Sequence, residues 1–124
     1  MNEKLLEVIN TPPDSAFAIV TAGEDAPHVV NSWNSYIQFN QQNELLVPAG
    51  RMRVTEANLL KDERVWLTIS NREVQGRSYK GTGFYITGKA RFENEGPNFE
   101  QVKEKFPWAR AALVITIATA EQTL

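Results

Sequence analysis

The stretch TGFYITGKARF, residues 82–92, is the clearest strand signal in the chain. Phe84, Ile86 and Gly88 alternate with Tyr85, Thr87 and Lys89. A period of two residues is typical of a strand with one buried face. Gly96 and Pro97 follow and break the pattern. The stretch therefore predicts a long strand in a mainly β protein.

Other strand-like segments lie on both sides of this stretch and are separated by turn signals rather than by long helices. They are Phe17–Thr21, His28–Phe39, Glu44–Val47, Val65–Ser70 and Ala111–Ala120. The last has apolar residues on both faces, which predicts burial on both sides. Short helices are predicted over 3–9, over 55–61 with Thr55 as the cap, and over 98–106. Six strands joined by short turns favour an antiparallel barrel over a doubly wound sheet.

The composition is typical of a globular protein, and the length predicts a single domain, residues 1–124. The formal net charge of -2 argues against non-specific binding to nucleic acid. The chain has no cysteine, which excludes thiol catalysis and cysteine metal sites and gives no sign of an oxidising compartment. No secretory signal and no apolar run long enough to span a bilayer is visible. We therefore expect a cytoplasmic protein without a membrane partner.

The segment PAGRMRVTEAN, residues 48–58, has the parts of an anion site. A strand ends at Pro48, and Gly50 then allows a close backbone approach. Two arginines precede a hydroxyl residue at a helix start, where free N–H groups and a partial positive charge suit a phosphate. An ordinary strand-to-helix turn, with Thr55 as its cap and two solvated arginines, explains the same residues.

Three further stretches carry side chains that suit a flat heteroaromatic ligand. The stretch VNSWNSY, residues 30–36, interleaves Trp33 and Tyr36 with amides and hydroxyls. The glycines of GTGF, residues 81–84, allow close packing against a ligand or another chain. Trp108, before the last strand, offers a stacking surface. Each stretch also has a plain structural explanation: a strand with one core tryptophan, a glycine turn, and a core or interface tryptophan.

Residues for catalysis by the protein alone are scarce. His28 is the only histidine, and no spacing of acidic residues resembles a metal-binding loop. The Gly-x-Ser-x-Gly and Gly-x-Gly-x-x-Gly patterns are both missing, which argues against a hydrolase elbow and a Rossmann cofactor site. Any redox chemistry would therefore depend on an added cofactor.

Taken together, these stretches resemble the small FMN-binding proteins of sulfate-reducing bacteria, within the pyridoxamine-phosphate-oxidase-like FMN-binding split-barrel superfamily. The resemblance covers nearly the whole chain. It is carried by NSWNSY at 31–36, Pro48-x-Gly50-x-Met52, TEAN at 55–58, DERV at 62–65, GTGF at 81–84, WARAALVIT at 108–116 and AEQTL at 120–124.

The resemblance implies a six-stranded antiparallel split β-barrel with short helices, forming a homodimer with one non-covalently bound FMN per subunit near the interface. It implies that Trp33, Tyr36 and Trp108 lie near the flavin ring and that Leu124 reaches the flavin of the partner subunit. It places the phosphate beside residues 51–55. The full set of expected FMN contacts is Asn31, Ser32, Trp33, Asn34, Tyr36, Pro48, Ala49, Gly50, Arg51, Met52, Arg53, Thr55, Thr82, Gly83, Trp108 and Leu124.

The phosphate turn departs from the pattern of the superfamily. A lysine is expected immediately before the threonine, but the residue here is Val54, whose side chain has no polar atom. Arg51 stands where a glycine is expected and Arg53 where a histidine is expected. Our hypothesis is that Arg53 or Arg51 replaces the missing ammonium group.

Three functions fit this sequence. The first is a redox protein that carries electrons through FMN to a protein partner, such as a cytochrome-like carrier. The second is a small FMN-dependent oxidoreductase or flavin reductase, with Arg77, Tyr79 and Lys80 as candidates to line a substrate pocket. The third is a non-redox role such as flavin storage. The scarcity of acid–base residues in the motifs favours the first, because a carrier needs no substrate pocket.

Overall fold

The computed structural model describes residues 2–124 as one curled antiparallel sheet with three α-helices. The helices are α1 (Glu3–Asn10), α2 (Arg53–Lys61) and α3 (Pro97–Lys105). The strands are β1 (Ala16–Thr21), β2 (His28–Trp33), β3 (Gln38–Phe39), β4 (Leu45–Ala49), β5 (Arg64–Gln75), β6 (Lys80–Glu93) and β7 (Ala111–Gln122). Six of these strands have five or more residues, as predicted, and β3 adds a two-residue seventh.

The strand order requires the sheet to curl. The order is β2-β1-β5-β6-β7-β4-β3, so β2 and β3 are the two outermost strands. In a flat sheet they would lie about 29 Å apart, at roughly 4.8 Å for each of the steps between neighbouring strands. Only residues 34–37 connect them, and this connection reaches about 17 Å at most. The sheet therefore curls into a half-barrel, in agreement with the antiparallel barrel architecture predicted from the sequence.

The long strand predicted from residues 82–92 is confirmed as the central part of β6. It pairs with β5 on one side and with β7 on the other. Phe84 and Ile86 are buried inside the curl, whereas Tyr85 points outwards and is 37% exposed. The inner face of β6 therefore contributes to the main core, together with Phe17, Ile19, Val65, Leu67 and Ile69.

The final strand differs from the prediction in its second half. Residues 111–115 are buried on both faces, but residues 116–122 are exposed or half-buried. The first half lies between the main core and a second cluster formed with α3, in which Val102 and Phe106 pack on Ala112 and Val114. Helix α3 ends at Lys105 and covers only that half, so the apolar residues beyond Ile115 have no second layer.

The predicted strand over His28–Phe39 is wrong, because the chain turns in its middle. Strand β2 ends at Trp33, a single-turn 3-10 helix follows over Asn34–Tyr36, and β3 begins at Gln38. Asn34 is the cause: its side chain is buried and its amide donates to the main-chain oxygens of Val8 and Ser70, at 3.3 and 3.0 Å. These bonds draw the backbone inwards and end the strand.

Candidate functional site

The turn between β4 and α2 joins a buried strand to an uncapped helix. Pro48 and Ala49 are buried at the end of β4, and Gly50 follows on the surface. Met52 precedes the helix in the left-handed conformation, with φ 64° and ψ 36°. No side chain within residues 2–124 caps the helix. The prediction that Thr55 is the cap is therefore wrong, because Thr55 lies in the first turn of α2.

Thr55 has an unusual environment for a hydroxyl group. Its side chain is 1% exposed, and its Oγ1 atom has no hydrogen-bond partner in the described part of the chain. The first helical bond here runs from the Glu56 N–H to the Met52 oxygen, at 3.0 Å. The N–H groups just before it are those that a helix start leaves free. A phosphate oxygen at this point would satisfy these N–H groups and the hydroxyl together.

Two arginines and a glutamate surround this helix start. Arg51 is exposed, and Arg53 is 74% exposed with its Nη1 atom 3.7 Å from Oε1 of Glu56. Val54 points to solvent, at 53% exposed. Both arginines are therefore free to turn towards an anion bound at the helix start, which gives the turn the positive charge that Val54 does not supply.

Arg110 is a member of this cluster that the sequence interpretation did not assign. Its Nε and Nη2 atoms donate to the main-chain oxygen of Arg51 at 3.1 and 2.7 Å, and Nη2 also donates to Oε1 of Glu56 at 3.0 Å. Its own N–H donates to the Ala49 oxygen at 2.9 Å. Its place in the WARAALVIT stretch, residues 108–116, which carries part of the family resemblance, was the available signal. Nothing in the sequence shows that this stretch reaches the turn.

Trp108 lies beside the same turn. Its ring packs on Gly50 and is 52% exposed, so one side remains open to a ligand. Phe106 and Tyr36 support it from behind, with ring centroids 5.7 and 5.8 Å from that of Trp108. The structure thus brings together the predicted residues Gly50, Trp108 and Tyr36, which are distant in sequence.

The predicted contacts from β2 are divided between surface and core. Asn31 and Trp33 lie on the outer face of the sheet, where Trp33 is 49% exposed and the Asn31 amide donates to the Phe17 oxygen at 3.2 Å. Ser32 is half-buried, and Asn34 is buried with an unpartnered Oδ1 atom. Helix α2 packs on β1 and β2, so this strand borders the helix that carries Thr55.

Thr82, Gly83 and Leu124 lie at the other end of the molecule. Ala49 pairs with Ala111, at the start of β7, whereas Thr82 Oγ1 accepts from Gln122 at its end. About 36 Å of strand lies between Ala111 and Gln122. Leu124 is 64% exposed and its main-chain oxygen accepts from the N–H of Arg77 at 2.8 Å. Along β7, these residues therefore lie far from the turn between β4 and α2 of their own subunit.

An open cleft lies at this far end. It has a volume of about 400 Å³ and is lined by Arg77, Ser78, Tyr79, Lys80, Gly81, Thr123 and Leu124. Residues 2–124 contain no cluster of three or more histidine or acidic side chains that could hold a metal ion. In the same residues, no helix is both long and apolar enough to cross a membrane.

Comparison with known proteins decides the family. The sequence model described as pyridoxamine 5'-phosphate oxidase matches residues 1–124. The chain belongs to the pyridoxamine 5'-phosphate oxidase family. The family resemblance drawn from the sequence motifs is confirmed by this match and by a close relative, the FMN-binding protein of Nitratidesulfovibrio vulgaris (strain DSM 19637 / Miyazaki F). The two are 53% identical over 111 residues, which cover 90% of each chain.

Solved structures show the same fold at low sequence identity. HupZ of Group A Streptococcus superposes with a TM-score of 0.78 at 13% identity, covering 98% of this chain and 93% of that one. An FMN-binding protein from Syntrophomonas wolfei subsp. wolfei gives a TM-score of 0.72 at 15% identity, covering 98% and 85%. At these identities the likeness supports the split-barrel architecture alone.

Proposed function

We propose that this family member is a flavoprotein that binds FMN non-covalently, with the phosphate at the start of α2. The observation that carries the proposal is the buried Thr55 hydroxyl, which has no partner and lies at an uncapped helix start. The relative from Nitratidesulfovibrio vulgaris is an FMN-binding protein. The residues present fit a phosphate group, since they offer free N–H groups, a hydroxyl and two arginines in one place.

The missing lysine is replaced, in this proposal, by Arg53 or Arg51. Arg53 is held only by a long, exposed ion pair to Glu56, which costs little to exchange for a phosphate. Arg51 follows Gly50 on the exposed side of the turn. Pro48, Ala49, Gly50 and Met52 shape the backbone around the ligand, and Arg51, Arg53 and Thr55 supply the polar contacts.

The flavin ring is expected beside Trp108 and the β2 residues. The open side of the Trp108 ring provides a stacking surface. Asn31, Ser32 and Trp33 provide polar and aromatic contacts along the neighbouring strand, and Tyr36 supports Trp108. Asn34 contributes through its unpartnered Oδ1 atom or by fixing the backbone turn after Trp33.

We also propose a homodimer in which each FMN contacts both subunits. An apolar patch lies on the outer face of the sheet, where Val20 of β1 pairs with Val29 of β2 on one side and with Trp66 of β5 on the other, and Val29 is 57% exposed. Such a patch is typical of an interface. Thr82, Gly83 and Leu124 lie far from the phosphate turn of their own subunit, so they reach a flavin only across this interface.

The role that the arrangement supports best is electron transfer to a protein partner in the cytoplasm. FMN, when bound, supplies the one- or two-electron chemistry. The protein's own residues bind the phosphate, orient the ring beside Trp108 and leave its edge accessible. The second candidate is an oxidoreductase acting on a small molecule, and the cleft lined by Arg77, Tyr79 and Lys80 favours it as a substrate site.

One set of measurements tests these proposals. The purified full chain should show an oxidised flavin spectrum that bleaches with sodium dithionite, and a colourless protein that fails to bind added FMN would refute the flavoprotein proposal. Steady-state oxidation of NADH or NADPH separates the two roles. A saturable substrate with robust turnover would favour the enzyme, whereas turnover only with an added electron carrier favours the redox protein.

A further inference from the structure

The turn that precedes α2 is strained and needs an external support. Met52 is not a glycine but has a φ of 64°, a conformation that costs about 1–2 kcal/mol for a residue with a Cβ atom. Such conformations persist where the surroundings hold them in place. The Met52 side chain packs on the main core, which fixes one side of the turn.

Arg110 fixes the other side. Its main-chain N–H donates to the Ala49 oxygen, and its guanidinium donates twice to the Arg51 oxygen. The two acceptor oxygens lie on either side of Gly50, against which the ring of Trp108 packs. The segment from Trp108 to Arg110 therefore runs along the turn and contacts it on both sides of Gly50.

The charge of Arg110 is already committed. Its Nη2 atom also donates to Oε1 of Glu56 at 3.0 Å, and its side chain is only 21% exposed, above the ring of Phe92. These bonds use three of the five N–H groups of the guanidinium, all of them on Nε and Nη2. Two of the three hold the backbone of the turn, so the contribution of Arg110 to an anion site runs through that backbone.

We propose that Arg110 is the positioning residue of the FMN phosphate site. By holding the carbonyl of Arg51 away from the helix start, it keeps Met52 in the left-handed conformation and the N–H groups of α2 aimed at the phosphate. Arg110 does not itself contact the ligand. The proposal rests on the proposed FMN function and assigns a specific role within it.

The test compares FMN with riboflavin, which lacks the phosphate, on the full chain and on two variants. Arg110→Lys keeps the charge but loses the planar fork, and Arg110→Gln loses both. We expect both variants to lose about tenfold or more in FMN affinity, with riboflavin affinity changed little. The salt dependence of FMN binding should match that of the wild type, because the ionic contacts to the phosphate are the same.

Two results would overturn the proposal. One is an unchanged ratio of FMN to riboflavin affinity in both variants, whether neither affinity falls or both fall in equal proportion. The other is wild-type FMN affinity in Arg110→Lys with loss only in Arg110→Gln, which indicates a direct ionic contact. Arg91→Gln is the matched control, since Arg91 also donates to carboxylates, those of Glu93 and Glu44, beside the other end of β4 from the turn. If the wild type binds neither flavin, the FMN function itself fails instead.

A measurement on the wild type covers the case in which the variants do not fold. The Arg110 Nε–H should give a nuclear magnetic resonance signal protected from solvent exchange before FMN is added. That signal should shift little on titration, because its acceptor remains the Arg51 oxygen. If the signal is protected only when FMN is bound, Arg110 does not hold the Arg51 oxygen before the ligand arrives, which contradicts the proposal.

Discussion

The indole ring of Trp108 packs on the backbone of Gly50, so that a Cβ atom on Gly50 would lie 3.4 Å from ring atoms Cε3 and Cζ3. This contact holds an exposed aromatic surface beside the phosphate turn. We expect Trp108→Ala to weaken FMN binding on the order of tenfold or more, since stacking on an aromatic side chain contributes about 1–3 kcal/mol. Titration followed by flavin fluorescence measures it.

The control for this prediction is Phe99→Ala, which removes a half-buried aromatic residue from α3 away from the turn. Its FMN affinity should equal that of the wild type. If Trp108→Ala also bound FMN with the affinity of the wild type, the flavin ring would not lie beside Trp108.

Removal of the Thr55 hydroxyl should have opposite effects on FMN binding and on the stability of the protein. Thr55→Val keeps the shape of the side chain and removes a buried polar atom that has no partner. We expect the flavin-free protein to be as stable as the wild type or about 1 kcal/mol more stable, while FMN affinity falls. Urea unfolding and FMN titration on the same preparation check both effects.

Thr21→Val is the matched comparison. Thr21 is equally buried, but its Oγ1 accepts a hydrogen bond from Asn58 at 3.1 Å. The same substitution there should cost about 1–3 kcal/mol, because it leaves the amide of Asn58 without its acceptor. If both valine variants lose stability alike, the Thr55 hydroxyl has a partner within the protein.

Asn71 fastens α1 to the sheet. Its buried amide donates to the main-chain oxygens of Val8 and Thr11, at 3.2 and 2.6 Å. Asn71→Ala should destabilise the protein by about 1–3 kcal/mol, because carbonyl oxygens near the helix end lose their donors. Thermal unfolding measures the loss, and the exposed Asn10→Ala on the same helix should change the midpoint little.

Glu44 should make stability depend on pH in the acid range. Hydrogen bonds from Asn40, Thr116 and Arg91 hold its pKa at about 2, compared with an ordinary value of 4.5. A group whose pKa is lowered by folding stabilises the protein above its unfolded pKa. The stabilisation is therefore complete above about 4.5 and is lost as the pH falls towards 2.

The variant Glu44→Gln isolates this effect. At pH 7 it should be about 1–3 kcal/mol less stable than the wild type, because charged hydrogen bonds are lost. The difference in stability between Glu44→Gln and the wild type should shrink as the pH falls from about 4.5 towards 2. Glu104→Gln, at an exposed position on α3, serves as the control. A Glu44→Gln difference that stays constant with pH contradicts the lowered pKa.

The outer face of the sheet provides the test of the dimer. Val29→Lys places a charge in the apolar patch on the outermost strand β2, where Val29 pairs with Val20. We expect light scattering to give the mass of a monomer and FMN affinity to fall, because each flavin site loses its second subunit. Leu60→Lys on α2, where Leu60 is 85% exposed, should leave both properties unchanged. A wild-type mass in Val29→Lys would falsify the proposed interface.

The sequence was sufficient to predict the strands whose alternation reflects a single buried face. The pattern of residues 82–92 predicted β6 because Phe84 and Ile86 face the core and Tyr85 does not. Pattern-based prediction failed at Asn34, a polar residue that is buried because its amide donates to the main-chain oxygens of Val8 and Ser70. Such bonds join residues far apart in the chain, so no local pattern records them.

The turn between β4 and α2, the proposed phosphate site, was predictable in composition but not in geometry. Gly50, two arginines and Thr55 indicated an anion site, yet Thr55 was assigned to the cap and Arg110 to no role. The left-handed Met52 has no sequence signal comparable to a glycine. The distance from Thr82 and Leu124 to the turn also depends on how β6 and β7 pair, which only the folded sheet defines.

The short link over residues 34–37 has a consequence for how the protein behaves in concentrated solution. Strands at the border of a sheet expose unpaired N–H and C=O groups, and these can recruit strands from other chains into aggregates. One border here is the two-residue β3, and the other is tied to it through the same short connection. The two-residue β3 thus leaves little flat border on its side of the sheet on which a growing fibril could form.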